Sequence, residues 1–464
     1  MKQELILRKR LALALGVLGA FFASQGMAQR ACPKFHNVRY QDDYSAFEKG
    51  DCLMGVIKQI PLGGAAHVSF GGQYRARFEF DKNRAFGASD PKSQDYVLNR
   101  VFLFSDLRLG ERGKIFAEFK AAGVNNNDLP PSPIMRDKLD IQNLFAEYWL
   151  LNRKKARFGV RLGRQEMQFG KQRLISPLDW ANTRRTFEGA RVLFSRSKWE
   201  FDAFLMRHVP VKAEALNKAD STTRFSGFYI QRKWRLGKAS AYFLSLDNNT
   251  TVAPSGSATG FSRQTVGAAW DGASKNIDWS TETALQFGDF AGEDIGAWML
   301  TLNAGYTFKR HAMKPRLGLG LDLASGDADP NDAKLQSFNQ LFPLAHAYFG
   351  WTDQVGRSNL RALQFNFRAN PHERVTVKLF IHDFHLLQAR DAFYNAAGAA
   401  ARSDIEGLSG KDVGQEVDVE ISYNINQHIG LAIGAAVFVP GEFIKKTGDS
   451  EAHRLIYFMI PVKF

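Results

Sequence analysis

From residue 66 to the end of the chain, apolar and polar positions alternate with a period of two. That is the spacing of a strand that turns one face to an apolar phase. Tyr74, Ala76, Phe78 and Phe80 share a face, and Arg75, Arg77 and Glu79 take the other. Val101, Leu103, Leu107 and Leu109 oppose Arg100, Asp106 and Arg108, and Ile115, Ala117 and Phe119 oppose Lys114, Glu118 and Lys120. Similar segments recur near 140–152, 155–170, 185–196, 198–210, 221–235, 238–248, 260–271, 276–289, 294–309, 312–325, 357–370, 372–389, 412–425, 427–439 and 449–464, which predicts about eighteen strands. In the last one, Ile456, Phe458, Ile460, Val462 and Phe464 form a wholly apolar face, with His453, Tyr457 and Lys463 opposite. A barrel in a membrane needs such a strand, because its last strand closes on its first and faces lipid.

The connections alternate in length. Short ones near 110–113, 152–155, 195–197, 236–237, 309–311, 370–373 and 424–427 follow even-numbered strands. Long ones near 81–94, 124–139, 171–184, 211–220, 326–356 and 390–411 follow odd-numbered strands. This is the sidedness of an outer-membrane barrel with periplasmic turns and external loops. A β-helix or propeller would show a fixed repeat, and there is none. Tyr148, Trp149, Trp199, Trp234, Trp270, Trp279, Trp298 and Tyr457 stand near strand ends, as aromatic girdles do. The predicted fold is all-β: a transmembrane antiparallel β-barrel of about eighteen strands, short periplasmic turns and long extracellular loops.

The same alternation sorts lumen from lipid. With Val375, Val377, Leu379 and Ile381 outward, Arg374, Lys378 and His382 face in. Likewise Arg316 and Asp322, Arg157 and Arg161, and Glu416, Asp418 and Glu420 face in. Charge of both signs there must face water. Most such pairs neutralise one another, and a surplus of arginine and lysine selects anions.

Composition fits a barrel. Across 464 residues the mean hydropathy is −0.28 while 45% of residues are hydrophobic. Beyond the N-terminus no apolar run reaches the ~20 residues of a membrane helix, which excludes helical membrane proteins. Residues 1–28 read as a secretory signal: bases to Arg10, an apolar stretch over 11–23, and Gly26-Met27-Ala28 before Gln29. Residues 29–65 have no period and read as a periplasmic lead-in, or a small plug or lid, ahead of a barrel at 66–464. They contain Cys32 and Cys52, which in an oxidising periplasm are expected to pair and close a loop of about twenty residues for about 3 kcal/mol. The net charge is +14, of which the leader supplies +3. A basic surplus implies an anionic partner; export makes nucleic acid a poor one.

Candidate chemistry is sparse. His382-Asp383-Phe384-His385 places at most two metal ligands on one strand face, and zinc needs three or four. Residues 327–332 resemble half a calcium loop but lack its glycine, and Phe338 stands where its last glutamate belongs. There is no nucleophile elbow, phosphate loop or His-Glu-x-x-His motif. Neither catalysis nor a cofactor or metal is expected.

The stretch 161–174 (Arg-Leu-Gly-Arg-Gln-Glu-Met-Gln-Phe-Gly-Lys-Gln-Arg-Leu), with Leu178-Asp179-Trp180-Ala181-Asn182-Thr183 and Arg185-Thr186-Phe187-Glu188-Gly189, resembles the alginate-export outer-membrane porin family. So do Phe338-Asn339-Gln340-Leu341-Phe342-Pro343, His346-Ala347-Tyr348-Phe349-Gly350, Ser358-Asn359-Leu360, Val413-Gly414-Gln415-Glu416-Val417-Asp418 and Pro440-Gly441. The resemblance runs from about 68 to 464. It implies an eighteen-stranded barrel whose arginine-rich lumen passes an anionic uronate polymer. Glu79, Asp106, Glu118, Glu147, Asp202 and Glu282 add many acids to this lumen, which would reduce anion selectivity. The family motif carries Arg164, Gln165, Arg173, Trp180, Asn182 and Arg185 over as a cluster at the pore mouth, either touching solute or pinning an external loop. Arg164 has lipid-side parity, so a bulge or strand end is expected there.

The reading is a monomeric channel for an acidic polysaccharide or oligosaccharide. Lumen contacts come from Arg75, Arg77, Arg100, Arg161, Arg191, Arg316, Arg374 and Lys378. Alternatives are a diffusion porin for small acidic or oxygenated solutes, and a plugged barrel with an interaction or structural role. Outer-membrane lipid, lipopolysaccharide and the outer-membrane assembly machinery are expected partners, with Phe464 as the assembly signal.

Overall fold

The computed structural model of the chain describes residues 35–45, 55–250 and 260–464. The leader, Cys32 and Cys52 lie outside the described residues.

Eighteen strands form the wall: β1 (Ala66–Lys82), β2 (Ser93–Leu109), β3 (Gly113–Asn125), β4 (Asp137–Arg153), β5 (Ala156–Gln165), β6 (Thr186–Arg196), β7 (Trp199–Val209), β8 (Thr223–Trp234), β9 (Gly237–Asn248), β10 (Phe261–Ser274), β11 (Ile277–Phe290), β12 (Glu293–Thr307), β13 (Arg316–Ala324), β14 (Leu360–His372), β15 (Val375–His385), β16 (Asp412–Asn424), β17 (Gly430–Pro440) and β18 (His453–Lys463). Each pairs antiparallel with the next. β18 pairs with β1, Phe458 opposite Phe78 and Val462 opposite Tyr74, so the sheet closes. Closure leaves no strand edge with unpaired amides, a requirement in a phase without water. No described helix is long and apolar enough to cross a membrane.

The outer face is apolar and exposed, as at Leu319 (68%) and Leu162 (58%). The aromatic expectation is corrected at two positions. Tyr457 is 1% exposed and points inward, and Trp149 lines a lumenal cavity. Tyr148, Trp199, Trp234, Trp270 and Trp298 are exposed.

Even-numbered strands are followed by turns at 110–112, 154–155, 197–198, 235–236, 275–276, 308–315, 373–374 and 425–429. Odd-numbered strands are followed by loops at 83–92, 126–136, 166–185, 210–222, 325–359, 386–411 and 441–452, and β9 by a connection of which residues 251–259 lie outside the described ones. The alternation fails once. β11 and β12 are joined by Ala291 and Gly292 alone, both at positive φ (56° and 95°). Paired left-handed residues make the tight hairpin turn that matches strand twist. The neighbouring loop covers this low point: Lys334–Leu335 pairs in parallel with Asp294 and Ile295.

The interior is packed. Loop residues Met167, Leu174, Ile175, Phe338, Phe349 and Val355 are buried with wall residues such as Phe187, Phe204, Phe225 and Met299 in one apolar cluster. Nearer the turns, Val38, Tyr40 and Tyr44 pack on Phe104, Phe116 and Phe145.

Candidate functional site

The lumen is shaped by three inserted segments, and wall side chains hold each of them. The first is loop 166–185. Arg75 donates to the carbonyls of Asp179 (2.8 Å), Trp180 (3.0 Å) and Ala181 (3.0 Å). Arg77 donates to the Trp180 carbonyl at 2.7 Å and its guanidinium lies 3.7 Å over the indole. Arg100 reaches the carbonyls of Asp179 and Ala181, both at 3.0 Å, and the Asp179 carboxylate at 2.9 Å. A loop that enters a barrel must find partners for its main-chain carbonyls, and these three arginines supply them. Asn182 does the reverse service, donating to the carbonyls of Asn99, Gly123 and Met135 at 3.0–3.1 Å.

Burial would raise the Asp179 carboxyl, but Arg184, Arg100 and Arg75 overcome it and hold it well below the usual carboxylate range. A depressed carboxyl contributes stability that is fully present above its unfolded value near 4 and is lost only as pH falls below that. The Asp179 contribution to loop docking is therefore expected to be the same at about pH 5 and pH 7. Hydrogen exchange across 176–185, corrected for its intrinsic pH dependence, measures this. Lost protection already at pH 5 would contradict the assignment.

The second segment is loop 325–359. Ile175 and Phe342 form a parallel bridge, and Ser176 N donates to the Phe342 carbonyl at 2.9 Å, so the two loops are joined inside the barrel. Arg185 links them too, with contacts to the carbonyls of Ser176 (3.2 Å) and Pro343 (3.3 Å). Burial pulls its guanidinium down to about 10. Trp180 stacks on His346 at 3.8 Å and 11°. Arg173 meets Glu282 at 3.1 Å and Ser280 at 3.0 Å from one side, and Arg357 meets Asp322 at 2.6 Å and Thr301 at 2.8 Å. Glu416 accepts from the amide and hydroxyl of Thr352 at 2.8 and 2.7 Å. Its carboxylate occupies the place of a side chain at Gly350, which also has φ 85°.

The third segment is 35–45, which enters from the turn end. Arg39 pairs with Asp42 at 2.8 Å and spans the carbonyls of Gly72 (2.7 Å) and Phe464 (3.0 Å). Tyr40 stands edge-on to Phe145 (5.1 Å) and Phe116 (6.0 Å), under the Arg161 guanidinium at 4.4 Å. Its hydroxyl donates to the Glu166 carbonyl at 2.8 Å, and Asn37 donates to Gln168 at 2.9 Å. Arg184 pairs with Glu166 at 2.7 Å and donates to the Asn37 carbonyl at 3.1 Å. The N-terminal segment and an external loop thus meet inside the barrel.

The sequence-predicted lumen residues fall into three groups. Arg75, Arg77 and Arg100 hold the loop. Arg161 with Glu147 (2.8 Å), Arg191 with Asp202 (3.1 Å), Arg316 with Asp278 (2.8 Å) and Lys378 with Glu420 (2.8 Å) are inward ion pairs. Arg374 is a correction: it lies exposed in the turn 373–374, because β15 begins one residue later than its alternation suggests. Of the motif cluster, Gln165 is buried and Arg173, Trp180, Asn182 and Arg185 pin loops. Arg164 is not at the pore mouth. It stands at the strand end, one residue before β5 stops at Gln165; no bulge resets parity against β6, and Arg164 stays on the outer face with Glu188 (3.1 Å), the Asn217 carbonyl (2.9 Å) and the Asp140 carboxylate (3.4 Å). His382 points inward to Asp418 (3.2 Å) while His385 and Asp383 pair outside (3.3 Å). No group of three or more metal-ligating side chains gathers among the described residues. Sequence reasoning missed Arg39, Tyr40, Arg184 and Arg357; the only signal was two adjacent arginines at 184–185.

Below the loops, a cavity of about 1080 Å³ opens at the turn end. Arg108, Lys114, Arg157, Arg161 and Arg191 line it together with Glu147, Asp202 and Trp149, and Gln168, Phe169 and Gly170 close its inner end. The basic surplus expected along the lumen is found elsewhere. The strands together carry a net +2 and the external connections none. The turns carry Arg112, Lys154, Lys155, Lys198, Arg235, Lys275, Lys309, Arg310, Lys314 and Arg374, ten cations against Glu111 and Glu373. Most inward bases are matched by inward acids or by loop carbonyls, as lumenal burial requires; turns face water and need no match.

The profile of the family described as alginate export matches residues 66–458. No curated protein sequence matches the chain. Among solved structures, OccAB1 of Acinetobacter baumannii is similar with a TM-score of 0.59 at 10% identity, over 88% of this chain and 99% of that one. OccK9 (OpdG) of Pseudomonas aeruginosa gives 0.58 at 12% over 86% and 98%. OccK2 (OpdF) of Pseudomonas aeruginosa, in complex with glucuronate, gives 0.56 at 9% over 85% and 98%. At such identities the likeness concerns the fold.

Proposed function

Because the chain belongs to the alginate export family, we propose that this outer-membrane barrel channel passes an anionic polysaccharide or oligosaccharide of the uronate type. The observation that carries the reading is the cavity at the turn end, walled by arginines and lysines over its depth. Arg108, Lys114, Arg157, Arg161 and Arg191 each already have a carboxylate, a carbonyl or an aromatic ring as neighbour. A passing carboxylate therefore exchanges one partner for another and is held weakly at several places, the condition for transit. Glucuronate, the ligand in the OccK2 structure, has the carboxylate and hydroxyls such a wall would meet. No cofactor enters the reading, and a gradient or other proteins must drive movement. Orientation follows the rule of short periplasmic turns and long external loops.

The filled mid-lumen favours a second reading, a diffusion porin for small acidic solutes. Planar-bilayer recordings separate the two. Current blocked by mannuronate oligomers supports the polymer reading. Block by glucuronate alone favours the small-solute porin, and indifference to uronates would sink both. A barrel without conductance would fit a plugged interaction protein.

A further inference from the structure

We propose that the ring of turns at the periplasmic end is a capture surface for an anionic polysaccharide chain at the mouth of this barrel; this rests on the uronate reading above. The ten cations of the turns are all exposed, and only Arg374 has a carboxylate within ion-pair distance, its neighbour Glu373 at 4.0 Å. The opposite rim is built differently. There Lys92 meets Glu451 (2.5 Å), Arg136 meets Glu214 (2.8 Å), Arg390 meets Asp329 (3.5 Å) and Lys446 meets Glu442 (2.6 Å). Among the described residues, then, most of the chain's unmatched positive charge is gathered at one mouth. Uncompensated surface cations gain nothing for stability and repel one another. Their effect is a field that concentrates anions at the opening.

The ring is continuous with the cavity. Arg153 at the end of β4, Lys154 in the turn after it and Lys238 beside another turn line the cavity, as does Arg157 on β5 with its guanidinium 3.8 Å over Trp149. A flexible polyanion captured on the ring is led by charges toward Arg161 and Arg191. A phospholipid headgroup would meet only the outer rim and not the cavity, which is why a soluble chain fits this surface better. With the surplus on the periplasmic side and zero net charge outside, capture is one-sided.

The test measures association of a fluorescent mannuronate oligomer with the protein in zwitterionic nanodiscs by stopped flow. Two variants change separate turns: Lys309→Glu with Arg310→Glu and Lys314→Glu, and Lys154→Glu with Lys155→Glu. A control changes Lys212→Glu and Lys218→Glu in an external loop. Each turn variant is expected to lower the association rate about tenfold at low salt, with the difference shrinking as salt rises, while the control matches the wild type. If the oligomer binds and both turn variants match the control, the capture surface is overturned and the channel reading stands. If the wild type binds no oligomer, the uronate reading itself fails. Unchanged oligomer kinetics with reduced binding of anionic phosphatidylglycerol vesicles assigns the ring to lipid and overturns the proposal.

Discussion

Removing residues 35–45 is expected to raise single-channel conductance severalfold and to leave the barrel folded. The segment contributes no strand to the wall, whose eighteen pairings close without it. What it contributes is volume in the lumen. Val38, Tyr40 and Tyr44 fill the space against Phe104, Phe116 and Phe145. Its loss deprives Lys114 of the Tyr40 carbonyl at 2.6 Å and Arg184 of the Asn37 carbonyl at 3.1 Å. Both bases keep carboxylates, Asp106 at 3.3 Å and Glu166 at 2.7 Å, so no buried charge is stranded. The cavity then joins the space the segment vacates. Arg39→Ala, which removes the fork across Gly72 and Phe464, is expected to give brief openings to the same level. Planar-bilayer recording with a heat-shift gel as folding control measures both. Unchanged conductance in the deletion would show that loops 166–185 and 325–359 alone set the resistance.

Truncation of β18 is expected to abolish membrane assembly altogether while export to the periplasm continues. Without it, β1 and β17 become open edges, and unpaired amides facing lipid cost several kcal/mol each. No rearrangement of the remaining strands mends this, because an odd count of antiparallel strands cannot close. The last residue matters beyond the strand. Phe464 exchanges both main-chain hydrogen bonds with Gly72 at 3.0 Å. Removal of Phe464 alone is expected to reduce the yield of heat-modifiable barrel, with the remainder of normal mobility. A β18 truncation that still gave a heat-modifiable barrel would refute this account of closure.

The wall was legible in the sequence because every wall residue obeys the same constraint. Lipid on one side and water on the other impose the period of two along the eighteen strands, with local register shifts such as that between Glu118 and Phe119, and β18 announces its pairing with β1 by an uninterrupted apolar face. Turn positions were less legible. Arg374 continues the inward parity of β15 and yet lies past its end, since alternation does not say where a strand stops. The interior was least legible. Residues 35–45 have no period, because Tyr40 is fixed by two rings contributed from β3 and β4 rather than by neighbours in sequence. Arg164 and Arg185 stand in one family motif and end on opposite sides of the wall. Net charge misled in an instructive way: a count of +14 does not distinguish the wall, where acids answer bases, from turns, where they do not.

The Arg39 guanidinium straddles the seam between the first strand and the last residue. Its seat consists of the Gly72 carbonyl and the Phe464 main-chain oxygen, which come together only when the circle is complete. The segment 35–45 precedes every wall strand in the chain but can take its place last. Maturation therefore has an order built into it, with zipping of the seam before stoppering of the lumen. A chain stalled before closure leaves this segment hanging in the periplasm within reach of proteases, so degradation can distinguish finished from unfinished molecules without any separate mark.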